Sequence, residues 1–372
     1  MTTSPRIAIV GGGPGGLMLA RLLHGRGIAA TVFERDAHAG ARPQGGSLDL
    51  HPDTGQRAMR RAGLEAAFRA AARPEDQGDR LHDPDGVLLF DRDGAGDDRP
   101  EIDRTVLRRI LLDALAPGTV RWGCAVAAIT PAPDGRYRIG WRGGAEIFDI
   151  VVGADGAWSR VRPLLSDVVP AYEGVTLVEF GFDAHRHPLV DDLVGGGKMM
   201  AVGDCRALIA QRNGHGHIRA YAMRRMPEAA AHGLAVASPR AVRAAMMEVF
   251  AGWAPALRYL VERGDLIAVR ALHALPIGYR WPGRPGVTLL GDAAHLMSPF
   301  GGEGANLALA DAADLADALG DGTGWPAVAR YEAAMVARAT PAAAGAAAGL
   351  RGAIAPDALA GVLEHYRGRV GV

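Results

Sequence analysis

Cysteine is nearly missing from this 372-residue chain: Cys124 and Cys205 are the only two, and no Cys-x-x-Cys pair occurs. A disulfide framework, a zinc ribbon or a dithiol redox centre is therefore not expected. Net charge is missing as well. The 41 Lys and Arg residues balance 41 Asp and Glu, without the basic excess of a nucleic-acid-binding surface. Long apolar runs are also absent. The longest stretch free of Asp, Glu, Lys and Arg is residues 7–20, and five of its residues are glycine, so it is too short and too glycine-rich to span a bilayer. No basic segment followed by a long apolar stretch and a small-residue cleavage site is present. These absences point to a soluble, cytoplasmic protein that binds neither nucleic acid nor membrane, and a monomer is expected.

Glycine, by contrast, is abundant: 51 residues beside 23 prolines, with no Gly-x-y period and 49% apolar content, which excludes collagen and disorder. In an α/β chain such glycine marks places where backbone approaches a ligand closely. At roughly 150 residues per domain the length suggests two domains, or one large domain with insertions. Arg6-Ile7-Ala8-Ile9-Val10 is a β-prone run that stops at a glycine cluster. Residues 16–25 read as a helix with Leu17, Ala20, Leu22 and Leu23 apolar, and 29–34 as a second strand. This strand–turn–helix–strand succession is a βαβ unit, which predicts a parallel sheet. Further helices are predicted over 52–72, 104–116, 239–250, 253–262, 306–319 and 326–338, the last with Pro326 in its first turn. Strands are predicted over 87–90, 147–152, 175–183, 198–202, 207–211, 217–221 and 287–291, with a charged loop over 91–100. Glycine turns at both ends of a strand-rich middle imply a nucleotide domain interrupted by a sheet domain.

The sharpest motif is Gly11-Gly12-Gly13-Pro14-Gly15-Gly16, which fits G-x-G-x-x-G through Gly11, Gly13 and Gly16. The first glycine allows a tight turn, the second lets backbone amides reach a pyrophosphate, and the third permits close helix–strand packing. The helix N-terminus adds partial positive charge. Glu34 ends the next strand, where a carboxylate can take both ribose hydroxyls of an adenosine. Two later segments run from strand into turn in the same way: Val152-Gly153-Ala154-Asp155-Gly156 and Leu290-Gly291-Asp292-Ala293-Ala294-His295. Asp292 sits where a carboxylate can accept a ribityl or ribose hydroxyl. The turn at 301–306 then opens a helix whose free amides can meet a flavin carbonyl or a phosphate. A nicotinamide-only fold needs neither segment. The pairs His185-x-His187 and His215-x-His217 have metal-ligand spacing, but no carboxylate or cysteine cluster joins them, so no metal site is expected.

With these motifs in order, the chain resembles the flavin-dependent aromatic hydroxylases of the para-hydroxybenzoate hydroxylase type. Within them it is most similar to the tetracycline-modifying monooxygenases (tetracycline destructases), through the run Gly45-Gly46-Ser47-Leu48-Asp49-Leu50-His51. The resemblance implies FAD as cofactor, with NADPH or NADH as co-substrate. It implies that Gly11, Gly13, Gly16, Glu34 and the adjacent Arg35 hold the adenosine diphosphate half. Arg42 lies in the segment that contacts the nicotinamide cofactor or flavin, and Asp49, Arg108, Asp155, Asp292, Gly302, Gly304 and Asn306 belong to the FAD-binding set. Substrate contacts are implied near Glu179 and Lys198, where the relatives carry Gln and Arg. Glu303 departs from the family pattern too, standing where the relatives have Gln between two glycines.

The fold this implies is α/β: a three-layer, Rossmann-like FAD domain from residues 1–77, 101–168 and 277–322, a sheet-rich substrate domain from 78–100 and 169–276, and a C-terminal helical segment, 323–372. The implied reaction is hydroxylation of an aromatic or polyketide-like small molecule with NAD(P)H and O2 through a flavin hydroperoxide. No residue is expected to carry the chemistry itself, since the cofactor does so while the protein orients and excludes water. A flavin dehydrogenase without oxygen insertion and a non-catalytic FAD-binding protein are the alternatives. A flavin halogenase is not, because the Trp-x-Trp-x-Ile-Pro signature is absent.

Overall fold

The computed structural model describes residues 5–370; residues 1–4 and 371–372, the outer ends of the expected ranges 1–77 and 323–372, lie outside the described residues. The βαβ reading of the N-terminus is realised in a five-stranded sheet ordered Val287–Leu289, Ile150–Gly153, Ile7–Val10, Ala30–Phe33, Val120–Arg121. Every neighbouring pair in it is parallel. Its strands are short and apolar because both faces are covered. Helices Pro14–His24, Arg104–Asp113 and Glu303–Gly320 pack together on one side. On the other lies an antiparallel meander, Val126–Pro131, Tyr137–Trp141 and Gly144–Phe148. The ring of Phe33 joins the two sheets, 5.2 Å from Trp141 and 5.6 Å from Phe148.

A second sheet has seven strands in the order Asp265–Ala274, Ala171–Asp183, His217–Arg225, Arg206–Arg212, Gly197–Gly203, Gly78–His82, Leu88–Arg92. It is antiparallel except where Gly197–Gly203 runs parallel to Gly78–His82. Alternation along each strand gives the sheet two different faces. In His217–Arg225 the side chains of Ile218, Ala220 and Ala222 join a core with helices Pro188–Val194, Pro239–Val249 and Pro255–Glu262. Met223 points the other way, into a cluster with Leu350, Ile354 and Tyr366 from the C-terminal helices Trp325–Ala353 and Ala358–Val370. Arg219 and Tyr221, four and two residues from it, share that second face. The strand pair Ser47–Asp49 and Glu101–Asp103 stands between the two large sheets. The architecture is thus the α/β one expected: a parallel Rossmann-like sheet, an antiparallel second sheet and C-terminal helices.

Two helices differ from the expectation. Residues 52–72 do not form one helix but a π-turn, Pro52–Gln56, and two short helices, Arg57–Arg61 and Glu65–Ala71. The break is at Gly63, whose φ of +72° is left-handed. Gly63 N–H donates to Arg60 O at 3.0 Å and Leu64 N–H to Met59 O at 2.9 Å, the paired bonds of a Schellman stop. Apolar Ala58, Met59 and Phe68 lie on both sides of that stop and face one core, which is why the spacing read as continuous. The helix expected over 326–338 instead runs from Trp325 to Ala353 and contains Pro341. Proline weakens a helix interior. Here the segment beyond it is held by burial of Ala346, Leu350 and Ala353. The strands Gly78–His82 and Asp265–Ala274 carry no prediction from the sequence, and helix Ala358–Val370 falls inside the expected C-terminal helical segment.

At Gly63 an added Cβ would come no closer than 3.9 Å to Arg21, so the position has space and only the backbone conformation is at stake. Gly63→Ala is expected to cost about 1–2 kcal/mol of unfolding free energy, the usual penalty of a left-handed non-glycine residue. Urea unfolding measures it, and an unchanged midpoint would remove Gly63 as the cause of the break.

Candidate functional site

The glycine turn after the first strand is built by contacts that leave no room for side chains. A Cβ on Gly11 would lie 2.3 Å from Ala154 O, and one on Gly16 would lie 2.1 Å from Gly11 O. Gly13 differs from both. It caps helix Pro14–His24, and a Cβ there would meet nothing within 4 Å. The helix N-terminus therefore opens onto space, with the polarity that suits a phosphate. Glu34 closes one side: its Oε2 accepts from Gly12 N–H and its Oε1 from Asp36 N–H, both at 2.9 Å.

Behind the turn lies Arg108, 2% exposed. It donates to Gly12 O and Ala39 O, each at 3.1 Å, and its guanidinium is 3.5 Å from both Glu34 and Asp36. Burial pulls its pKa below the usual arginine value while Glu34 and Asp36 oppose that. Arg108 therefore braces the turn from the protein side. Arg42 is half-exposed and pairs with Asp36 at 2.9 Å, while Arg35 is exposed at the rim.

The other two motif segments meet the first at the end of the parallel sheet. Asp155 turns inward: one oxygen accepts from Arg160 N–H at 2.7 Å, the other is buried without a partner, and burial raises its pKa. Asp292 turns outward, exposed at the start of the short helix Asp292–His295. That helix rests on a buried network. His295 Nε2 lies 2.6 Å from Asp311, which also accepts from Gly291 N–H at 3.1 Å and pairs with Arg338 at 2.8 Å. His295 is thus part of the support beneath the turn.

Asp49 and the 301–306 turn are tied together by Asn306, which is fully buried. Its side chain accepts from His51 N–H at 2.9 Å and donates to Asp49 O at 2.8 Å and Gly302 O at 3.0 Å. Gly302, at φ +70°, has no room for a side chain, since its Cβ would lie 2.5 Å from Asp49 Oδ1. Gly304 faces Asp292, whose Oδ1 would be 3.8 Å from a Cβ there. Glu303 is partly exposed, and its carboxylate lies 3.6 Å from His51 Nδ1.

The second sheet reaches this crevice at Gly46, where an added Cβ would be 2.9 Å from Tyr221 Oη. Glu179 and Lys198 lie on that sheet but play different parts. Glu179 is 2% exposed, paired with Arg219 and, at 2.9 Å, with Arg270, so its carboxylate is already occupied. Lys198 is partly exposed, 3.3 Å from Asp79. Burial lowers its pKa, but Asp79, Tyr366, Asp49 and Glu101 together hold it above the ordinary value. Asp49 is in turn held low by His51 and Lys198 against the opposing effect of burial.

Three groups were not singled out from sequence. His51 stands two residues from Asp49 on an extended segment, so both side chains point to one side, and that spacing was the available signal. Its ring is 3.0 Å from Asp49. Glu101 is buried, accepts from Ser47 and Gln211, and is pushed up to about 7 by burial. Arg104, one turn before Arg108, is exposed, with its Cδ 3.2 Å from where a Gly45 Cβ would be. Of the pairs His185/His187 and His215/His217, His187 meets Tyr259 at 3.2 Å, and His215 lies in the turn between two strands.

Open space before the helix N-terminus at Gly13, the Glu34 carboxylate beside it and two further strand-end turns make the arrangement of a dinucleotide-binding fold. The family described as FAD binding domain matches residues 5–202 and 282–340. Monooxygenase asqM of Emericella nidulans is 32% identical over a 371-residue alignment that covers 84% of this chain and 83% of that protein. The 3-amino-4-hydroxybenzoate 2-monooxygenase PtmB3 of Streptomyces platensis is 32% identical over 358 residues, 88% of this chain and 83% of that protein. In fold the chain is similar to Klebsiella pneumoniae HpxO complexed with FAD and uric acid, with a TM-score of 0.81 at 22% identity, covering 99% of this chain and 94% of that one. It is similar in fold to tetracycline destructase Tet(55) as well, with a TM-score of 0.79 at 21% identity, covering 100% of this chain and 95% of that one. The chain belongs to this FAD-binding family of aromatic-hydroxylase type and is an FAD-dependent monooxygenase.

The residues present fit the cofactor, because the cradle at Gly13 is one that a single Cβ would begin to fill. Gly13→Ala should leave the stability of the cofactor-free protein within about 1 kcal/mol. Gly16→Ala should lower it by about 3 kcal/mol or more, since its Cβ would overlap Gly11 O. Thermal unfolding of the two cofactor-free variants separates them, and equal stability would show that the turn has slack.

Proposed function

We propose that this monooxygenase binds FAD along the crevice and hydroxylates an aromatic or polyketide-like small molecule, tetracycline-like rings among them, with NADPH or NADH and O2. In this reading it acts as a cytoplasmic monomer. Gly11, Gly13, Gly16, Glu34 and Arg35 take the adenosine diphosphate half. Asp49, Asp292, Gly302 and Gly304 take the flavin half, and Arg42, free on one side, takes a phosphate of the nicotinamide cofactor. Arg108, Asp155 and Asn306 act from behind, fixing the segments that carry those groups. When bound, FAD supplies the redox chemistry: two electrons and O2 give one oxygen atom to the substrate and one to water.

The observation that carries this reading is where the second sheet meets the flavin motifs. Partly buried Met200, Ile209, Tyr221 and Phe300 give an apolar surface there, with Lys198 at its polar end. A flat, mostly apolar ring with one anionic or hydroxyl edge suits such a wall. Burial raises the Tyr221 hydroxyl above the ordinary tyrosine range, so it remains a neutral donor at working pH. Lys198 remains protonated and presents a cation to a phenolate or carboxylate edge. Glu179 contributes by keeping Arg219 and Arg270 in place rather than by touching substrate. The 32% identity to a protein named as a 3-amino-4-hydroxybenzoate 2-monooxygenase supports an aromatic substrate.

Following NAD(P)H oxidation against a panel of phenols and polyketides, with peroxide measured in parallel, tests the reaction. A substrate should speed oxidation and suppress peroxide, whereas peroxide equal to NAD(P)H consumed with every compound would overturn hydroxylation. The extracted cofactor should be FAD and not FMN, because the Gly13 and Glu34 end addresses an adenosine. Asp292→Ala should weaken FAD binding about ten- to a hundredfold, the worth of a charged hydrogen bond of about 1.5–3 kcal/mol. Asp155→Ala should weaken it less, and the reverse order would exchange the two roles.

A further inference from the structure

Glu303 brings a carboxylate into the first turn of helix Glu303–Gly320, beside the carboxylate of Asp49. His51 stands between them. Its Nε2 is 3.0 Å from Asp49 and its Nδ1 is 3.6 Å from Glu303, the first a hydrogen bond and the second an ion-pair distance. A neutral ring that donates to Asp49 would turn a nitrogen lone pair toward the Glu303 carboxylate, whereas an imidazolium presents N–H to both. The residue is 6% exposed, and its backbone is pinned by Asn306, so the ring is held in this place. The same Asn306 side chain joins Asp49 O to Gly302 O. Both segments that carry the flavin motifs are therefore fastened twice, once by a neutral amide and once by a cation.

We propose that His51 is a cationic positioning residue that clamps the turn at Gly302 and Glu303 against Asp49 and so keeps the flavin end of the crevice in its FAD-binding shape. This rests on the reading of the crevice as the FAD site. With Gln at position 303 the turn would carry no charge, and a neutral ring would suffice. With Glu303, loss of the proton leaves two carboxylates facing each other across the ring, and the turn that bears Gly302 and Gly304 is pushed from Asp49.

The electrostatics agree with the geometry. Burial lowers the His51 pKa, but Asp49 and Glu303 outweigh it and raise the group to about 9, with Arg99 opposing. Among the described residues these are the charged groups that act on it most strongly, and Lys198 acts on Asp49. Because this pKa is raised in the fold, the clamp is at full strength below the ordinary histidine pKa. It weakens above that value and is lost as pH passes through about 9.

The test is the FAD dissociation constant of the full-length holoenzyme, read by flavin fluorescence from about pH 6 to about pH 10. The parent protein should weaken about tenfold or more between about pH 7 and about pH 10. His51→Gln should be about tenfold weaker already at neutral pH. The double variant His51→Gln with Glu303→Gln should return to within about threefold of the parent and show no alkaline loss, because its turn carries no second charge. A double variant as weak as the single one would mean that His51 acts by packing alone, which overturns the clamp. A parent constant that stays flat to about pH 10 would overturn it as well. A parent protein that binds no FAD at any pH overturns the FAD reading itself and the clamp with it.

Discussion

The crevice exists because three stretches of backbone touch where side chains would keep them apart. Gly11 meets Ala154 across the ends of neighbouring parallel strands, and Gly16 meets Gly11 at the start of the first helix. That contact brings the first helix N-terminus up to the carboxyl edge of the parallel sheet, the place where open α/β sheets bind ligands. It leaves Gly13 as the one glycine of the fingerprint with open space before it. The other elements of the site are arranged around this contact. Asp155 sits one residue beyond Ala154, and Asp292 follows the next strand along the sheet.

Charges behind the crevice differ in kind from charges in front of it. Arg108, Arg162 and Asp311 are 3% exposed or less, and each ties separate segments together. Arg162 is a clear case: it donates to Ala293 O at 3.1 Å and Ala157 O at 2.7 Å, joining the Asp155 turn to the Asp292 helix. Removing such a group would leave buried carbonyls without donors, at about 1–3 kcal/mol each. Asp292 and Arg104 are exposed instead, and Lys198 is partly exposed. The division means that a charged residue inside a motif segment is not by that fact a ligand contact.

The parts legible in the sequence are those where a local rule is strict. The glycine fingerprint reads correctly because only glycine survives the contacts at Gly11 and Gly16, and the parallel sheet follows from the βαβ spacing. The break at Gly63 was hidden because apolar residues on both sides of it face one core. The long C-terminal helix was hidden because Pro341 argues against it locally, while burial of Ala346 against Met297 and Leu307 and of Leu350 against the seven-stranded sheet decides it. Side-chain direction was the least legible quantity. Asp155 and Asp292 occupy equivalent places in their motifs, yet one faces the protein and the other the crevice. The partner of Glu303 was invisible for the same reason, since His51 lies over 250 residues away in sequence.

A crystal structure of the protein with FAD bound tests the central claim most directly. The account predicts the adenosine ribose at Glu34, the diphosphate over the amides at Gly13, and the flavin between Asp49, Asp292 and the turn at Gly302. Density for the dinucleotide on another face of the parallel sheet, or an adenosine lying away from Gly13 and Glu34, would contradict it.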